Sequence, residues 1–307
     1  MKLHQDKQLF AEIISMASEH PVNGGLGIGA QFIERDYWIT NALSDLSKSP
    51  YKPAGIFKGG TSLSKAYHIG YRLSDVLNID VIRRDGSSNA KFKETLRAIE
   101  KIMSANLIPI EHPVTSKVSV IPGQILLEIN SIDRPLPYQR RTIKSFAYDY
   151  LISRGCSDII RDFDLEPFEI NVLDKRTTMT TELISLIRSS LTDSPIQQLE
   201  TKICCFYDLH FLYEDEECKD CLSGDLFKKN FISLYNRDRR IFNKPDRQCK
   251  KRIIESPLIT DLNGIWKELT PRYYKELTPL SYSLIIPTPE QIESSIREIM
   301  NRIKSFI

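Results

Sequence analysis

The stretch from Ala54 to Asp80, AGIFKGGTSLSKAYHIGYRLSDVLNID, constrains the fold more than any other part of the chain. A short apolar run from Ala54 to Phe57 leads through Lys58 into the pair Gly59-Gly60. Two hydroxyl residues, Thr61 and Ser62, open a short helical stretch. A second strand-like run then ends in a carboxylate, Asp80. Strand, glycine turn, helix N-terminus and acidic strand together form a grip for a triphosphate and its metal. Glycines let the backbone approach closely, and unpaired N–H groups at a helix start favour anionic oxygens. An acid on the adjacent strand can hold Mg²⁺ against the same phosphates.

With a strand period of two, Asn78 and Asp80 share one face, and Ile79 and Val81 the other. Asp75 joins the Asp80 face only if a bulge or loop intervenes. A second acidic strand, ILLEINS, offers Glu128 between apolar neighbours. Carboxylates on two neighbouring strands beside a phosphate-gripping turn make a Mg²⁺ site, where the ion stabilises charge developing on the transferred phosphorus. The same features also occur as a plain turn and a water-facing acid, so a purely structural role is the competing reading.

A chain of 307 residues fits two domains and can bury a core in each. Lys+Arg 42 against Asp+Glu 40 leaves +2, so the overall charge selects no partner. Local basic clusters at Arg83-Arg84, Arg140-Arg141, Arg237 to Arg240 and Lys250 to Arg252 fit either a nucleic-acid contact or a solvated face. No apolar run approaches the roughly 20 residues of a membrane span. Met1 to Phe10 is polar and charged, unlike a signal peptide. A cytoplasmic location is therefore expected, with the six cysteines reduced.

Apolar spacing predicts helices over His4–Ala17, over the Phe32–Leu46 stretch before Pro50, and over Lys91–Asn106. Strands are expected at Val118–Ile121 and Ile125–Ile132 around a Pro122-Gly123 turn. Residues 140–152 read as helical, and Phe168–Leu173 as a late strand. Beyond Lys175 strand signals mostly vanish. Helices are expected at Thr178–Leu191, Ile196–Asp215, Phe227–Asn236 and Ile259–Glu276. A last one follows Thr288, an N-cap with Pro289 next and Gln291 as capping-box partner. The expected division is an α/β domain over 1–175 and a helical domain over 176–307.

The segment FKGGTSLSKAYHIGYRLSD…IDV resembles the signature of the AbiEii/AbiGii nucleotidyltransferase toxins of type IV toxin–antitoxin and phage-abortive systems. That family's pattern is approximately FKGGTSLSK followed by RFSEDID. IERDYWIT at Ile33–Thr40, SLIRSSLTDSP at Ser185–Pro195, CCFYDLHFL at Cys204–Leu212 and the tail KELTPRYYKELTPLSYS are similar to it in order. The resemblance implies an α+β fold. A polymerase-β-like nucleotidyltransferase domain, with a mixed sheet flanked by helices, would precede a helical bundle. It implies an activity too: Mg²⁺-dependent transfer of a nucleotidyl group from an NTP to a macromolecular acceptor, tRNA or protein. A small winged-helix antitoxin or regulator encoded nearby would be the partner.

By position, the resemblance implies that Gly59, Gly60, Thr61 and Ser62 bind the nucleotide phosphates and that Lys65 helps neutralise them. Asp80 matches the second acid of the DxD pair, a metal ligand. Glu128 stands where such folds put a third carboxylate, and Asp208 matches a functional Asp of the helical half. The chain departs from the pattern at three places. Asn78 replaces the first acid of the pair, behind two extra residues that could loop Asp75 inward as a substitute ligand. Thr181-Glu182 stand where the family has Glu-Lys, and Cys204-Cys205 where it has Arg-His. A neutral amide binds a hard cation less well than a carboxylate, and an anion near a triphosphate repels it. A degenerate member that binds nucleotide or RNA without transfer is therefore the alternative reading. Cys218 and Cys221 have C-x-x-C spacing, but adjacent Cys204 and Cys205 diverge by about 100° on a helix, which favours buried small residues over zinc.

Overall fold

The computed structural model describes residues 1–83, 86–104, 119–121, 125–132, 134–242, 252–283 and 285–307. The expected Pro122-Gly123 turn, Val118, Asn106, Arg84 and Lys250-Lys251 lie outside them. The chain folds as two compact units, Met1–Leu173 and Asp174–Ile307.

The first unit opens with α1 (Lys7–Ser18) and α2 (Ala30–Lys48), followed by β1 (Gly55–Lys58). A short helix, α3 (Gly60–Ser62), continues into a π-helical turn over Leu63–Tyr67. Then come β2 (Val76–Ile82), α4 (Asn89–Met103), β3 (Ser119–Ile121), β4 (Ile125–Ile132), β5 (Tyr138–Ile143), α5 (Phe146–Ser153), α6 (Ser157–Asp162) and β6 (Phe168–Leu173). The six strands form one mixed sheet in the order β3-β4-β2-β1-β6-β5. β2 runs antiparallel to β1 and parallel to β4, and β1 runs parallel to β6.

Alternation along the strands decides which face is covered. Phe57, Leu77, Ile79, Val81, Leu127, Ile129, Ile170 and Val172 all join one apolar core with residues of α1, α2, α4 and α5. The residues between them on β2 and β4 include Asn78, Asp80, Glu128 and Asn130, so polar groups collect on the opposite face. Tyr37 anchors α2 within this core. Its hydroxyl lies 2.8 Å from the His4 Nδ1, and burial pushes its pKa up to about 12.

One expectation for the first unit is corrected by strand pairing. Residues 140–143 are strand, not helix, because Arg140, Arg141, Thr142 and Ile143 pair antiparallel with β6 at the sheet edge. Ser145 then starts α5, its hydroxyl accepting the Tyr148 N–H at 3.0 Å.

The second unit is helical throughout its described elements. They are α7 (Lys175–Ser190), α8 (Pro195–Glu200), α9 (Ile203–Glu214), α10 (Glu216–Ser223), α11 (Asp225–Phe242), α12 (Pro257–Thr260), α13 (Leu262–Leu277) and α14 (Pro289–Lys304). Residues 196–215 are therefore two helices. The break follows Thr201, whose hydroxyl donates to the Gln198 carbonyl at 2.8 Å. The expected helix from Ile259 is likewise split, at Asp261, which caps α13 through the Gly264 N–H at 3.1 Å. α9 packs against α7, α13 and α14 and buries Phe206, Tyr207, Leu209 and Leu212. The start of α14 is pinned by Trp266, whose indole donates to the Pro289 carbonyl at 2.8 Å, and carries the expected Thr288–Gln291 capping box. Among the described residues, no helix is long and apolar enough to cross a membrane.

Candidate active site

β1 ends at Lys58 and the backbone swings through Gly59 at φ 86° and ψ −178°. That conformation is essentially restricted to glycine. Gly60 then begins α3. The hydroxyls that follow brace the turn. Ser62 Oγ donates to the Gly59 carbonyl at 2.7 Å, and Thr61 Oγ1 accepts the Ser74 N–H at 2.8 Å. Ser64 Oγ donates to the Arg72 carbonyl at 2.8 Å. Thr61 and Ser64 thus staple the turn to the segment that feeds β2, while the buried Ser62 closes the turn on itself.

On β2, Asn78 is the register partner of Lys58 on one side and of Glu128 on the other. The Asn78 side chain lies over the turn: a Cβ placed on Gly59 would meet its Nδ2 at 3.5 Å. Asp80, two residues on and on the same face, is only 5% exposed. Its Oδ1 lies 2.6 Å from Lys58 Nζ, yet that oxygen accepts no hydrogen bond, because the ammonium approaches outside hydrogen-bond geometry. Glu128 is exposed. The structure thus gathers Lys58, Asn78, Asp80 and Glu128 on one sheet face beside the glycine turn.

Asp75 does not join them. The two extra residues, Val76 and Leu77, do not loop out. They extend β2 and pair with Leu126 and Leu127. Asp75 stands before the strand, exposed, with its carbonyl accepting the Leu126 N–H at 2.6 Å. Five residues of extended chain put it about 16 Å from Asp80, too far to share an ion.

Lys65 is also redirected. Its ammonium is paired with Asp36 of α2 inside the first unit and donates to the Lys144 carbonyl at 3.0 Å. The other Asp36 oxygen accepts the Phe146 N–H at 2.7 Å. Burial raises the Asp36 pKa, opposed by the Lys65 ammonium and the Phe146 N–H. Lys65 therefore joins α2 to the start of α5 and is not placed to meet phosphates.

Among the described residues, no three His, Cys, Asp or Glu side chains cluster as metal ligands. Mg²⁺ commonly takes only one or two protein carboxylates, completing its shell with water and substrate phosphates. The buried Asp80 carboxylate, on the same strand face as Asn78 and paired with Lys58, fits an ion that arrives with a nucleotide and displaces the ammonium. It does not fit one caged by protein alone.

A family model, the nucleotidyl transferase AbiEii toxin of type IV toxin–antitoxin systems, matches residues 41–292. The chain belongs to the AbiEii family. Among solved structures it is similar to MenT4, a nucleotidyltransferase toxin from Mycobacterium tuberculosis H37Rv. That match has a TM-score of 0.57 at 12% identity and covers 97% of this chain and 90% of that one. At that identity the likeness concerns the fold. No protein of curated function matches the chain.

In the helical unit of this AbiEii chain, Asp208 is buried on α9 and Thr181-Glu182 lie on α7. Thr181 Oγ1 donates to the Thr178 carbonyl at 3.0 Å. Two residues that shape the first unit, Lys58 and Asp36, carry no expected role in the sequence. Lys58 served only as the link into the glycine pair, and Asp36 only as a letter of IERDYWIT. A signal for Asp36 was present: an acid between the buried residues Ile33 and Ile39 of one helix needs a buried partner.

Proposed function

We infer that this chain is an active nucleotidyltransferase toxin. It would transfer a nucleotidyl group from an NTP to a hydroxyl of a macromolecular acceptor, tRNA or protein. The observation that carries the reading is Asp80, a buried carboxylate on the strand beside the Gly59 turn, ion-paired with the more exposed Lys58.

In this reading the backbone of Gly59 and Gly60 receives the phosphates, shaped by Thr61 and Ser62. Asp80, with the Asn78 carbonyl oxygen, would hold the Mg²⁺ that enters with the NTP. When bound, that ion supplies charge neutralisation at the phosphates. Glu128, one strand over, accepts the proton of the acceptor hydroxyl as it attacks the α-phosphorus and pyrophosphate leaves. Asp208 is a further candidate in the helical unit. A winged-helix antitoxin is the proposed partner, and the cytoplasm the proposed site of action.

The neutral Asn78 and the anionic Glu182 favour a second reading, a member that binds nucleotide or RNA without transfer. Incubation with each of four labelled NTPs, Mg²⁺ and total tRNA or cell protein separates the two. Label incorporated by the wild type and lost in Asp80→Ala supports transfer. NTP binding with no incorporation into any acceptor leaves the binding-only reading.

A further inference from the structure

We propose that Lys58 is the cation that receives the nucleotide phosphates in this chain, and that Asp80 holds it until they arrive. The inference rests on the transferase reading above and gives a role to Lys58, to which the resemblance assigned none.

Geometry comes first. Lys58 is the last residue of β1, next to Gly59, so its side chain stands at the mouth of the glycine turn. Its ammonium rests 2.6 Å from Asp80 Oδ1, where it makes charge contact without an aligned hydrogen bond. An ion pair of that kind is more easily exchanged than a bidentate or well-directed one. Exposure is asymmetric too: 29% of the Lys58 side chain is accessible but only 8% of the Asp80 side chain. The lysine can leave while the carboxylate stays.

Charge then decides the direction of exchange. With Asn78 neutral, the inner site holds one carboxylate and one ammonium and nets to zero. A divalent ion alone gains little by displacing Lys58. A nucleotide that brings its own Mg²⁺ changes the balance, since Asp80 can exchange the ammonium for the metal and Lys58 can turn to the phosphates. The other lysine of the motif cannot take this part, because Lys65 is committed to Asp36 and the Lys144 carbonyl.

The test uses the full-length protein and two readouts other than activity. Mn²⁺ binding to the nucleotide-free protein is measured by electron paramagnetic resonance. Binding of each Mg²⁺-NTP is measured by calorimetry. In Lys58→Met, Mn²⁺ should bind about tenfold tighter and the NTP about tenfold weaker, because a charged contact is lost from each complex with opposite sign. Lys58→Arg should restore most of the nucleotide affinity. Lys58→Gln gives the same pair of readings if the methionine variant does not fold. A lysine that only braces the sheet would lower both affinities together. That outcome, or no change in either, overturns the inference while leaving the transferase reading intact. A wild type that binds none of the four NTPs at millimolar concentration overturns both.

Discussion

Gly59 keeps a backbone conformation, φ 86° with ψ −178°, that a side chain makes expensive. Crowding is not the reason, since the nearest atom to an added Cβ is Asn78 Nδ2 at 3.5 Å, an ordinary contact. Strain alone should therefore destabilise Gly59→Ala by about 1–3 kcal/mol, readable as a lower urea midpoint with unchanged slope. At Lys65 the mechanism is different. Its side chain is 4% exposed and that of Asp36 1%, so removing either partner strands a buried charge. Lys65→Ala should cost about 3–5 kcal/mol. Combining Lys65→Met with Asp36→Leu should recover much of that loss, because an apolar pair leaves no buried charge. A double variant no more stable than the single one would place the cost in packing instead.

Between elements, α9 and α14 are joined by His210 Nδ1 and Ser295 Oγ at 2.8 Å. Burial lowers the His210 pKa from its usual 6.5. The unfolded chain then binds a proton at a pH where the folded chain does not. The cost of protonating the buried ring is absent above pH 6.5 and grows as the pH falls from there through the lower, folded value. Urea midpoints measured from pH 7.5 down to 5 should decline, and His210→Gln should flatten the part of that decline due to this residue. The elements also show what local chemistry announces. α14 was legible because Thr288, Pro289 and Gln291 specify its start without reference to the rest of the fold. β5 was not. Arg140, Arg141 and Thr142 carry no apolar alternation of their own, and they become strand by pairing with β6. The breaks at Thr201 and Asp261 hinge on single polar side chains inside otherwise helical spacing.

For the molecule as a whole, the glycine turn, β2 and Asp80 could be read from consecutive residues, because strand, turn and strand are local in sequence. What Asp80 meets was not legible. The Lys58 contact depends on antiparallel register between β1 and β2, and the exclusion of Asp75 depends on Val76 and Leu77 pairing with β4. The Lys65–Asp36 pair spans 29 residues and needed the α2 packing to be known. The same topology makes a global prediction. The chain has two tryptophans, Trp38 in the unit Met1–Leu173 and Trp266 in the unit Asp174–Ile307, and both are buried. Each therefore reports the core around it. Trp38→Phe leaves the helical unit visible in fluorescence, and Trp266→Phe leaves the sheet-bearing one. Each unit encloses its own apolar core, so the two variants should show non-coincident urea transitions. The denaturant slope should be larger for the 1–173 unit, which exposes more surface on unfolding. A third probe, far-ultraviolet circular dichroism, should span both transitions. Superimposable curves from all three would show a single cooperative unfolding and would rule out the separation expected of two self-contained cores.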